Sequence, residues 1–192
     1  MQTDERINLL AKVARTPSRS REEGKGPSDR SILVLSEAAY GARPTDESTI
    51  PTGFDPFAAA LFEAIVEAAY LVATADGVFD DEERSTFERV VAAACGGSVP
   101  QKHIADLLAD LADQLAEDGL ERRIARLGEG VQRPEQGLEV LRIASLIAQA
   151  SEDVSPIERE VLEKIAVACR LGRPEVDAAM AEVEASLASS AA

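Results

Sequence analysis

The chain has 192 residues, 45% of them apolar, and its 35 acidic against 20 basic residues leave a formal charge of −15. That is length for one ordinary domain with appendages and apolar content for a sizeable core without covalent staples. The charge repels phosphate backbones and anionic membrane surfaces, which argues against a nucleic-acid partner and leaves a protein partner as the expectation.

The opening MQTDERINLL carries acids where a secretory signal needs basic charge, and no apolar run reaches the roughly 18 to 20 residues of a membrane-spanning helix, so a cytoplasmic protein without a membrane span is expected. Residues 3 to 14 place Ile7, Leu10 and Val13 on one side of a short amphipathic helix, marginal alone and in need of a docking surface. RTPSRSREEGKGPSDRS then mixes Pro, Gly, Ser and charge as flexible linkers do. ILVLSEAAY is a brief apolar helical segment. A second loop rich in Thr and Pro follows, so residues 1–54 are expected as an extension and the folded domain over 55–188, with a short tail after it.

From Asp55 the helix punctuation is regular. Asp55-Pro56 supplies an N-cap with proline at the first helical position, and Phe57, Leu61, Ile65, Ala68 and Val72 recur at helical spacing up to Asp76-Gly77. Asp80 with Glu83 has capping-box spacing ahead of the stripe Phe87, Val90, Val91 and Ala94, which Gly96-Gly97 closes. Helices are expected at about 100–117 and 120–128, then at about 134–150, 156–170 and 174–188, opened by Pro134, Ser155-Pro156 and Pro174. Aromatic residues are scarce and alanine dominates, so almost no sheet is expected.

A shift of 75 positions, laying Glu83 on Glu158, sets LVATADGVFDDEERSTFERV over LIAQASEDVSPIEREVLEKI without a gap. Leu71/Leu146, Ala73/Ala148, Ala75/Ala150, Glu83/Glu158, Arg84/Arg159 and Glu88/Glu163 are identical, and Gly97 and Gly172 close both units. The pattern predicts an all-α fold, two helix–turn–helix units packed as a pseudo-two-fold bundle.

At these residues the sequence resembles the tellurite-resistance TerB family, whose relatives include the N-terminal domain of DjlA-type co-chaperones. The resemblance is carried by Ala-x-Ala-Asp-Gly at Ala73 to Gly77, by Phe79 and Glu83, and in the second unit by Ala148 to Ala150, Val154, Ser155, Glu158 and Leu171-Gly172. It spans about residues 57 to 185, and Ser151-Glu152 departs from it where the first unit has Asp76-Gly77. It implies an all-helical domain of about seven helices, a link to tellurite resistance and chemical stress, acidic residues proposed to bind metal, and no established enzymatic activity.

Two readings of ATADGVFDDEER stay open. Against a calcium-binding EF-hand loop it matches only the second half, because Val72 and Thr74 stand where the first acidic ligands belong. A weak divalent-cation site would use Asp76, Asp80 and Glu83, completed by Glu152, Asp153 and Glu158; no other cofactor is suggested. The simpler reading makes Asp-Gly a helix exit, Asp80 a cap, and Asp81, Glu82 and Glu83 carboxylates favoured by the helix dipole. Arg122, Arg123 and Arg126 form a basic patch that is either solvated charge or a docking surface for an acidic partner, and Arg15, Arg19, Arg21, Lys25 and Arg30 form another. His103 is the only histidine, expected on the surface, and Cys95 and Cys169 sit in alanine-rich helical pattern as small apolar residues without a disulfide. No nucleophile elbow, phosphate-binding glycine loop or dinucleotide fingerprint is present, so no enzyme is expected.

Overall fold

Each capped apolar stripe becomes a helix in the structure, a computed structural model that describes residues 2–18, 30–42, 55–77, 79–151 and 154–191. Among the described residues there are nine helices and no strand: α1 (Gln2–Arg15), α2 (Ile32–Gly41), α3 (Pro56–Ala73), α4 (Asp81–Ala94), α5 (Gln101–Asp118), α6 (Leu120–Gly130), α7 (Pro134–Ser151), α8 (Pro156–Ala168) and α9 (Arg173–Ala191). The expected seven helices are those from α3 onward, with ends moved by one to three residues, as fraying termini allow.

Asp55 Oδ1 accepts the amides of Phe57 and Ala58 at 3.0 and 3.2 Å, starting α3 behind Pro56. Ala59, Leu61, Phe62, Ala64, Ile65, Val66, Ala68, Ala69, Leu71 and Val72 are all buried, because α3 is enclosed by α2, α6, α7 and α8. Its length and apolarity would also suit a membrane crossing, the apolar run being broken only by Glu63 and Glu67, yet 67% of that window is buried inside the fold. An apolar helix walled in by four others is accounted for as the core of the bundle. α7 is its main neighbour, α4 packs chiefly on α1 and α5, and α8 packs on α6, α3, α7 and α9.

The core reaches further toward the N-terminus than the expected start at Asp55. Ile7, Leu10, Ala11, Val13 and Ala14 of α1 are buried, with α1 lying against α4, α9, α7 and α2. Burying Ile7, Leu10 and Val13 contributes about 1.5 to 3 kcal/mol each, which decides the fate of a helix too short to persist alone. Leu33, Val34 and Tyr40 of α2 join the same core, Tyr40 stacking 4.7 Å from Phe62 of α3. The linker positions Arg19, Arg21 and Lys25 lie outside the described residues.

Candidate functional site

The acidic hinge is built from its two helix ends. Thr74 closes α3, its hydroxyl donating to the Tyr70 carbonyl at 2.9 Å, and Gly77 then turns with φ +82°, a conformation a side chain would oppose. Phe79 locks the far side. Its ring meets Tyr70 and Phe87 edge-on, with centroids 5.6 and 6.1 Å apart, so one aromatic residue joins α3 to α4 across the turn.

Asp80 Oδ1 accepts the amides of Glu82 and Glu83 at 2.9 Å each, and Glu83 Oε2 accepts the Asp80 amide at 3.1 Å. The second hinge repeats the arrangement: Ser155 Oγ accepts the Glu158 amide at 3.2 Å and Glu158 Oε2 the Ser155 amide at 2.8 Å. Both are complete capping boxes. The recurrent Arg84 and Arg159 likewise each face a glutamate one turn on, Glu88 at 3.7 Å and Glu163 at 3.2 Å.

Three of the six candidate metal ligands, Asp80, Glu83 and Glu158, are therefore engaged with backbone N–H groups at helix starts, and Asp76 lies exposed at the turn. Glu152 and Asp153 lie outside the described residues. Among the described residues no three His, Cys, Asp or Glu side chains come together in a way that would hold a metal ion. The donor set of the first hinge fits a helix cap better than a cation, which wants several oxygens free to converge.

The middle of the basic patch turns inward. Arg122, Arg123 and Arg126 all converge on the Asp118 carboxylate, at 3.5, 3.2 and 3.3 Å. Arg123 is buried and also donates from Nε to Glu67 Oε1 of α3 at 2.7 Å, so its charge ties α6 to the core and is withdrawn from any docking surface. Arg122 and Arg126 keep exposed faces. His103 is exposed in the first turn of α5, and both cysteines are free and buried, burial pushing the Cys169 thiol up to about 11.

Sequence reading passed over the most deeply buried charges. Arg142, 3% exposed, donates from Nη1 and Nη2 to the carbonyls of Val13 and Ala14 at 3.0 Å, and pairs with Glu139 at 2.8 and 3.1 Å. Glu139, 2% exposed, accepts the Leu33 amide at 3.0 Å. One cation thus sits at the C-terminus of α1 and one anion at the N-terminus of α2, the sign each helix dipole favours. The signal was a Glu and an Arg one turn apart in an otherwise apolar run, EVLRIASLI.

With that geometry in place, a family model described as "Tellurite resistance protein TerB" matches residues 62–181, well over half of the chain. The chain belongs to the TerB family. Its TerB match begins inside α3 and ends inside α9, so α1 and α2 lie outside it while packing on the same core. Neither a curated protein nor a solved structure matches the chain.

Proposed function

We propose that this TerB-family chain is a non-enzymatic interaction module of a tellurite-resistance or chemical-stress response, acting through a protein partner in the cytoplasm. The family match carries the reading. Its support on the surface is that Phe57 at the start of α3 and Val167 near the end of α8 are 71% and 72% exposed. Apolar side chains held rigidly in water on capped helices suit a partner's apolar face. The test is complementation: in a host lacking the gene, the wild-type chain restores growth on tellurite, and a Phe57→Ser, Val167→Ser variant with unchanged circular dichroism does not. Equal growth of both strains would remove these two side chains from the function, and no tellurite or oxidant phenotype would remove the response.

The alternative is a weak divalent-cation site at the first hinge, centred on Asp76 and drawing on the free lone pairs of Asp80 and Glu83. Calorimetric titration with calcium, magnesium, manganese and zinc separates it. Heat at millimolar ion that disappears in Asp76→Ala would support it, and no heat, or heat unchanged in that variant, would end it.

A further inference from the structure

Glu37 lies on the second turn of α2 and is 4% exposed, yet its Oε2 has no hydrogen-bond partner. The Cys95 thiol and the Ser98 side chain, both from the turn joining α4 to α5, lie beside the carboxyl and favour its charged form. The approach is close: a Cβ added to Gly41, one turn on in α2, would meet the Ser98 carbonyl oxygen at 2.6 Å. A full negative charge in such a place is costly, since half of the carboxylate is neither hydrated nor bonded.

We propose that Glu37 is a proton-dependent latch, in which a proton on its carboxyl holds α2 against the α4–α5 turn and its loss loosens that contact. The charged groups acting on it are Arg15 from the end of α1 and Arg30 from the chain entering α2. On α7, the Glu139–Arg142 pair is closed on itself and on the ends of α1 and α2. On α3, Glu67 is tied to Arg123, burial holds the Tyr70 phenol neutral, and Glu63 is half-buried with interactions of its own. Burial pushes the Glu37 carboxyl up, and Cys95, Ser98 and the two arginines only partly oppose it.

The sign follows from linkage. A carboxyl whose pKa is raised by folding stabilises fully below its unfolded value, and that contribution is lost as pH rises through the raised folded value. The latch is therefore closed in acid, weakens upward from the ordinary value of 4.5, and reaches a plateau once Glu37 has ionised.

The two cysteines make the test internal. Cys95 belongs to the turn that Glu37 holds, whereas Cys169 is buried at the far end of α8 and reports global opening. The full chain is labelled with a small uncharged thiol reagent from about pH 5 to about pH 9, spanning the ordinary carboxylate and thiol ranges, and each cysteine is quantified in its own peptide. The ratio of Cys95 to Cys169 labelling should rise with pH in the wild type, by up to about tenfold per unit, the limit for one proton released. In Glu37→Gln, a neutral replacement of the same shape, it should stay flat. A flat wild-type ratio, or an equal rise in the variant, overturns the proposal. Hydrogen exchange of the α2 amides in the wild type, corrected for its intrinsic pH dependence, decides independently should the variant not fold: protection must fall with pH over the same window.

Discussion

Glu67 on α3 and Arg142 on α7 stand at corresponding positions of the two helix–hinge–helix units, 75 residues apart, and both are buried charges. Glu67 reaches across to Arg123 and holds α6. Arg142 pairs with Glu139 in its own helix and holds the end of α1. Opposite signs at one position do one task, fastening an element that lies outside the unit. The hinges below are alike in their capping boxes and unlike in what fills them. Tyr70, Phe79 and Phe87 form an aromatic stack in the first, where the second has Ser145, Val154 and Leu162. The matched residues are those that govern local backbone; the residues that differ choose the neighbours, which is why α4 leans on α1 while α8 is enclosed.

The sharpest break of this comparison is Arg142→Ala. It strands the Glu139 charge in the core and leaves the Ala14 carbonyl without a donor, while Val13 keeps the Thr16 amide, so a loss of about 3 to 5 kcal/mol in urea unfolding is expected. Arg123→Ala should cost less, because the side chains of Arg123 and Glu67 keep 9% exposure each, against 3% and 2% for Arg142 and Glu139. Equal losses would mean that depth does not separate the two anchors.

Gly128→Ala comes next. The new Cβ would sit 2.5 Å from the Ala168 carbonyl oxygen, where α6 meets the end of α8, so about 1 to 3 kcal/mol of overpacking should outweigh the gain in helix propensity. A stabilised variant would show that α6 is free to shift.

Asp80→Ala and Ser155→Ala, read by thermal melting, should each lose about 1 kcal/mol, Asp80 the more because it accepts the Glu82 amide as well as closing its box. A larger loss at one hinge would show that its cap does more than start a helix. Arg84→Ala should leave the midpoint within error, since a partly exposed pair one turn apart contributes little, and Arg159→Ala, which also loses the exposed pair with Asp177 of α9, should lower it only slightly.

The helices from α3 onward were legible because caps, prolines and apolar spacing act locally: Asp55, Asp80 and Ser155 each cap the helix expected of them. The docking of α1 was not legible, because a stripe of Ile7, Leu10 and Val13 states that a surface is needed without stating which one. Arg123 misled for a related reason. Three arginines on RRIAR read as a patch in one dimension, and only the fold brings Glu67 beneath the middle one. Glu37, Glu67, Glu139 and Arg142 all interrupt apolar stripes, and a charge there marks a buried polar group whose surroundings only the fold supplies. The hinge carboxylates were read two ways because a capping box and half of a calcium loop ask for nearly the same residues.

The Ser31 amide donates to the Arg15 carbonyl at 3.1 Å, so the chain leaves α1 and re-enters α2 at a single point. That hydrogen bond ties the two ends of the span together, and Ser18 within it donates to Glu182 of α9 at 2.9 Å. Ring-closure entropy grows only logarithmically, by about 0.6 kcal/mol for each doubling of length. This is where the chain can be lengthened at least expense, and a reporter peptide or a second folded module inserted there would ride on the bundle with its helices undisturbed.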